Sequence, residues 1–480
     1  MTVLGLDVGT TAAKATVFDA AGERLDHAEI VYPDMDPAAQ DPEVVVDAAM
    51  RAMQQVEAST VSCCTAMHGL VALDEHDKPL TPLLTWADTR AADQAERLKR
   101  EHPDLHDRTG TPLHPMSPLT KLVWFREREP EIHAAARRWV GLKELVLHRL
   151  TGRWVVDWSV ASGTGLLDLA TLDWCPEALE LAGVERSQLA ELVAPTDLVG
   201  EGVIAGAGDG PLANLGVGAV RPGVAACSIG TSGALRLMVE RPAIDPMRRL
   251  FCYALTKDRW AIGGAINNGG VVLEWAHEAL APELTVAELL DVASTAPPGS
   301  DGLLMAPYLL AERGPHWDVR ATGAYIGLRR RHGRAHLVRA ALEGVCQQLN
   351  LVLESLEAAG QQVREIRATG GFARSAFWRQ LLADVLGRPI GFPERREGSG
   401  FGAALLGLKA LGEIESLDAA IGRLRIAEVV EPDPQAAAIY RDILSTWPWR
   451  SSSTTSSSPS AAGGSSKAPR SRSPRASGSA

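Results

Sequence analysis

At 480 residues the chain is longer than one hydrophobic core usually organises, so two folded domains are expected, with the cleft between them the first place to look for chemistry. Hydrophobic residues make up 46% and charged residues 22%, the balance of a chain that buries sizeable cores, which excludes general disorder. A formal net charge of -11 argues against nucleic-acid or anionic-membrane binding by the chain as a whole, and a small anionic ligand would need a locally basic pocket.

The chain opens on the apolar run Val3 to Leu6, followed at once by Asp7, a pattern without the basic and apolar regions of a signal peptide. No uninterrupted apolar stretch is long enough to span a bilayer, so a cytoplasmic location is expected. Runs from Thr2 to Leu6, Val61 to Thr65, Val224 to Ile229 and Glu365 to Thr369 predict strands. Ala91 to Arg100, His336 to Ala358 and Arg379 to Leu386 predict helices, and the alternation is that of α/β layers. Cys63 and Cys64 fall in one of the apolar runs, and the six cysteines show no CxxC spacing, so they read as reduced thiols. From Ser451 only Ser, Thr, Pro, Ala and Gly with scattered cations remain, and such a segment cannot bury enough surface to offset its ordering entropy. The division expected is 1–218 and 219–446 for the two domains and 447–480 for a disordered tail.

An internal echo links the two halves. Leu4-Gly5-Leu6-Asp7-Val8-Gly9-Thr10-Thr11 opens the first and Ala226-Cys227-Ser228-Ile229-Gly230-Thr231-Ser232-Gly233 the second, each an apolar strand, a Gly-Thr-Ser/Thr turn and a further apolar strand. In such a turn glycine lets backbone amides approach an anion and the hydroxyls add donors, as a phosphate chain requires. A single glycine-rich turn is as readily a plain hairpin; two of them could clamp one nucleotide triphosphate, with Asp7 as a partner for hydrated Mg²⁺. Neither is a Walker A sequence. Gly206-Ala207-Gly208-Asp209-Gly210 sets one carboxylate in a close-approach backbone, where Asp209 is either a turn-former or the base that phosphoryl transfer requires at the attacking hydroxyl.

Two longer stretches carry a family resemblance. Gly323 to Leu328 with His336-Leu337 and Ala340-Ala341-Leu342-Glu343, and Met116-Ser117-Pro118-Leu119-Thr120-Lys121-Leu122-Val123-Trp124-Phe125, resemble the two signatures of the FGGY carbohydrate kinases, with Arg128 departing at the end of the second. The resemblance covers residues 1 to 446. It implies two ribonuclease-H-like domains of the actin and hexokinase type closing over ATP with Mg²⁺ at Asp7, and Asp209 as catalytic base. It further implies that Gly9, Thr10, Thr11, Lys14, Gly230, Thr231 and Gly270 line the phosphates and that Gly371 and Ser375 lie at the adenosine.

Within the family, Met67-His68-Gly69, Thr85 to Arg90 and His114 to Pro118 resemble gluconokinases more than xylulokinases, as do Asp157 to Leu166 and Pro307 to Arg313. Gluconate is an open-chain polyol with a carboxylate at one end and the reacting primary hydroxyl at the other, so its site needs polar groups, an aromatic wall and a cation. His68, Trp86, Asp88 and Met116 are the expected substrate contacts, and either Arg90 or Lys143 the cation, although both cations could equally be surface charges. Xylulose or another pentulose is the alternative substrate. The expected partner is a small sugar acid, with no nucleic acid or membrane, and assembly as a homodimer stays open.

Overall fold

The computed structural model describes residues 2–394, 398–419 and 424–448. Most of the expected tail, residues 449–480, therefore lies outside the described residues. Trp447, at its start, is buried against Leu351 and Leu444.

The first half is built on a six-stranded sheet of β1 (Thr2–Val8), β2 (Ala12–Asp19), β3 (Arg24–Val31), β4 (Thr60–Thr65), β5 (Leu198–Gly200) and β6 (Val203–Gly208), in the order β5-β6-β4-β1-β2-β3. The second half carries a seven-stranded sheet of β7 (Val224–Ile229), β8 (Gly233–Val239), β9 (Phe251–Thr256), β10 (Arg259–Ile266), β11 (Glu365–Thr369), β12 (Ile390–Pro393) and β13 (Ile426–Val430), in the order β9-β10-β8-β7-β11-β12-β13. The echo in sequence is an echo in topology. In each half an antiparallel hairpin, β1-β2 or β7-β8, is followed outward by parallel strands, β4 and β6 or β11 and β12. β1, β4 and β6 run parallel, so their carboxyl ends share one edge of the sheet, where open α/β sheets bind ligands.

β1 is nearly apolar throughout because helices cover both its faces. Leu4, Leu6 and Val8 pack with Val45, Val46 and Ala49 of α1 (Pro42–Met53), whose amino end is capped by Asp41. The alternate residues Val3, Gly5 and Asp7 face a helix from the far end of the chain, α2 (Ser399–Ala410), through which Phe401 and Leu405 join Val3. A Cβ on Gly5 would collide with the Gly400 carbonyl, so glycine here permits backbone contact between β1 and α2. Ser399 is thereby brought to Asp7.

Candidate active site

The shared carboxyl edge collects the chemistry of the first half. Asp7 lies near the end of β1, Met67 and His68 just beyond β4, and Asp209 just beyond β6, as the first residue of the helix Asp209–Gly216. Asp7 accepts hydrogen bonds from the Ser399 hydroxyl at 2.6 Å and the Cys64 thiol at 3.3 Å. Asp209 accepts from the Gly210 amide at 2.8 Å. Burial, reinforced by the charge of Asp7, pushes the Asp209 carboxyl up to about 6, while Arg236 and Arg313 pull the other way.

A cavity of about 320 Å³ opens between the halves at this edge, and Asp209, Thr10, Ser232 and Ser399 all line it. Its apolar wall draws on both halves: Met67, Met116, Phe251, Tyr253 and Trp317 form one buried cluster with Trp86 against it, and the Phe251 and Tyr253 rings stack at 4.3 Å. His68 hydrogen-bonds through Nδ1 to the Gly163 carbonyl at 2.7 Å. A carbonyl only accepts, so Nδ1 carries the proton and Nε2 is left as an acceptor. Burial holds the ring neutral, its pKa lowered to about 3.

Two guanidinium groups complete the wall. Arg236 is held by Asn214 at 3.1 Å and Ser228 at 3.3 Å. Arg313 lies over the Trp86 ring, 4.7 Å from its centroid, and donates through Nη2 to the Ile266 carbonyl at 3.2 Å. Its Nε and the Tyr253 hydroxyl are buried without a hydrogen-bond partner among the described residues.

The expected substrate residues divide on this geometry. His68, Trp86, Met116 and Asp209 line the cavity. Lys143 does not reach it. The side chain is fully buried beneath β4 and β6, where Nζ donates to the carbonyls of Cys63, Ala205 and Ala207 and pairs with Asp157 at 3.4 Å. β6 shifts register between Ile204 and Ala207 around Gly206, whose φ of 74° and contact with Cys63 admit no side chain, and Lys143 satisfies the carbonyls at that bulge. Arg90 is likewise not the cation of the cavity: it pairs with Asp88 at 2.8 Å and stacks over Trp124 at 5.0 Å. Asp88 does not line the cavity either, because its carboxylate is spent on the Arg90 side chain and on the Arg90 amide at 3.2 Å.

At the two glycine turns, Thr10 from the first and Ser232 from the second share the cavity wall. Gly9 closes the first turn by donating to the Ala12 carbonyl at 3.1 Å, and Thr11 is exposed on it. Lys14, opposite Asp7 in the β1-β2 ladder, forms a half-exposed ion pair with Glu29 at 3.4 Å. Gly270 donates to Gly230 at 2.6 Å and its neighbour Gly269 to Thr231 at 3.0 Å, which seats the helix Val271–Leu280 directly on the second turn. Gly371 follows β11, exposed, with open space where a Cβ would stand. The Ser375 hydroxyl accepts from the Trp378 amide at 3.2 Å, capping the helix Ala376–Leu386.

The sequence alone did not single out Arg236, Phe251, Tyr253 and Ser399, which line the cavity, and gave Arg313 no role; Trp317 packs behind the wall without lining the cavity. For Arg236 there was a signal: it is the one charge in the otherwise apolar run Gly233 to Val239. The aromatic residues carry none, because each reads as ordinary core.

Models of the FGGY family of carbohydrate kinases match both halves, the N-terminal domain over residues 2–214 and the C-terminal domain over residues 225–411. A gluconokinase of Bacillus subtilis (strain 168) is 39% identical, the match covering 92% of this chain and 94% of that protein. The crystal structure of a gluconate kinase from Lactobacillus acidophilus superposes with a TM-score of 0.88 at 34% identity, covering 93% of this chain and 96% of that one. A ligand-bound xylulose kinase from the same organism gives 0.89 at 34% identity with the same coverage. With both domain models matched in order and sugar kinases superposing over nearly the whole length, this chain belongs to the FGGY family of carbohydrate kinases, enzymes of two actin-like domains that take ATP as phosphate donor.

Proposed function

We propose that the enzyme phosphorylates gluconate at its primary hydroxyl, giving 6-phosphogluconate and ADP. The observation that carries this reading is a pair of buried donors, Arg313 Nε and the Tyr253 hydroxyl, without partners among the described residues, in the cavity that also holds Asp209. Buried donors are rarely left unpaired, and a carboxylate with neighbouring hydroxyls supplies the acceptors they lack. At about 320 Å³ the cavity is at the small end of ligand sites, the size for a six-carbon chain rather than a large glycoside. The 39% identity to a gluconokinase supports the same choice.

In this reading Arg313, braced on Trp86, takes the acid end of the substrate. His68 Nε2 accepts from a chain hydroxyl, and Met67, Met116 and the Phe251-Tyr253 stack exclude water. Asp209 removes the proton from the primary hydroxyl as its oxygen bonds to the terminal phosphorus of ATP. The bond from that phosphorus to the bridging oxygen breaks, ADP leaves with the electron pair, and the proton stays on Asp209 until solvent takes it. Thr10, Thr11, Thr231 and the glycines of both turns hold the phosphates through amides and hydroxyls. Asp7, near the carboxyl end of β1 and beside the first glycine turn, would hold a magnesium ion through water. When bound, the ion neutralises phosphate charge.

A pentulose such as xylulose is the second reading, favoured by the equally close xylulose kinase structure. Coupled ADP release measured on gluconate, xylulose, ribulose, fuculose and glycerol separates the two. The highest kcat/KM is expected on gluconate, and a much higher value on xylulose would overturn the assignment while leaving the enzyme a sugar kinase.

A further inference from the structure

Lys121 belongs to a sequence signature of the family, yet nothing in the mechanism uses it. It lies in the helix Pro118–Arg128 and is completely buried. Its ammonium donates to three backbone carbonyls, those of His68 at 3.1 Å, Thr85 at 2.6 Å and Met116 at 2.9 Å. Three protons meet three acceptors, so the group is saturated.

The three carbonyls belong to three separate loops, and each loop brings a side chain to the cavity: His68 from the first, Trp86 next to Thr85 from the second, Met116 from the third. His68 has a φ of 68°, a strained conformation for a residue with a side chain, and such strain persists only where surroundings over-determine it. Here its ring is fixed by the Gly163 carbonyl and its own carbonyl by Lys121. A buried charge is expensive, and an apolar side chain of similar length would fill the same space without that desolvation. What only the ammonium supplies is a common point to which three loops are tied.

We propose that Lys121 is a positioning residue of the sugar site, setting the places of His68, Trp86 and Met116 by tying their three loops to one ammonium; this rests on the cavity being the sugar site. Lys121 touches neither reactant. Its removal loosens the wall that receives the sugar and leaves the two phosphate turns intact. Lys121→Met keeps the unbranched stem and removes all three donors, whereas Lys121→Gln keeps two. The test measures KM for sugar, KM for ATP and kcat on whichever panel sugar the parent enzyme turns over best, so a failed gluconate assignment does not affect it. The expected result is a sugar KM raised roughly ten- to a hundredfold in the methionine variant and less in the glutamine variant. KM for ATP should stay within about twofold and kcat at saturating sugar within about fivefold. A folded methionine variant with unchanged sugar KM would overturn the proposal, as would parallel increases in both KM values or a fall in kcat alone. If the methionine variant does not fold, the glutamine variant is judged by the same split between sugar and ATP.

Discussion

Asp209→Asn tests the proposed chemistry and the electrostatics of the site together. Asparagine keeps the size of the side chain and an oxygen for the Gly210 amide, but it cannot take a proton from the sugar. Loss of a general base lowers turnover roughly 100- to 10,000-fold, while the affinity for ADP, which Asp209 does not contact in this scheme, should change by less than about threefold. The same substitution should stabilise the fold. With its carboxyl raised to about 6 from the usual 3.8, Asp209 binds its proton more tightly in the folded than in the unfolded chain. Stability is therefore lost as pH rises through this interval, and above it the ionised side chain carries a penalty on the order of 3 kcal/mol. Asparagine escapes that penalty, so at pH 7.5 the variant should melt a few degrees higher, and the gain should shrink by about half at pH 5. Steady-state assay, calorimetric titration with ADP and thermal melts at the two pH values read all three effects. A turnover loss of only a few-fold would refute Asp209 as the base, and a lower melting temperature at pH 7.5 would refute the claim that its charge is held at a cost.

Turnover by the parent enzyme should be level at pH 7 to 8 and fall as pH drops through about 6, because the raised Asp209 carboxyl takes up the proton it must be free to accept; a profile flat down to pH 5 would contradict this. Arg313→Met should raise the gluconate KM roughly ten- to a hundredfold, the scale of a charge-assisted contact, and affect a neutral polyol far less, whereas Arg90→Met should change the gluconate KM less than about threefold. Equal effects of the two arginine substitutions would show that the acid end is read elsewhere. Lys143→Met leaves Asp157 buried without its cation and should destabilise the fold by about 3 to 5 kcal/mol in urea denaturation, with part of that recovered by adding Asp157→Asn.

Much of the fold was legible in sequence because it is local. The strands expected at Val224 to Ile229 and Glu365 to Thr369 form with those bounds, and the helix expected from His336 runs from Arg334 to Ala358. The repeated strand-turn-strand pattern stands for two sheets of like topology, since a hairpin is decided by the turn and the apolar residues beside it. His68, Trp86, Met116 and Asp209 could likewise be singled out, because each lies in a short distinctive stretch. Which cation faces the cavity could not. Lys143, Arg90 and Arg313 are all charges beside apolar residues, and only the packed chain shows that Lys143 is spent on three carbonyls, Arg90 on Asp88, and Arg313 on one carbonyl, with Nε left without a partner among the described residues. The same holds for Ser399 on Asp7, 392 residues away in sequence, and for the Phe251-Tyr253 stack in the wall. A side chain's type and spacing are written in the sequence, but whether its hydrogen-bonding capacity is already used depends on neighbours that only the tertiary fold supplies.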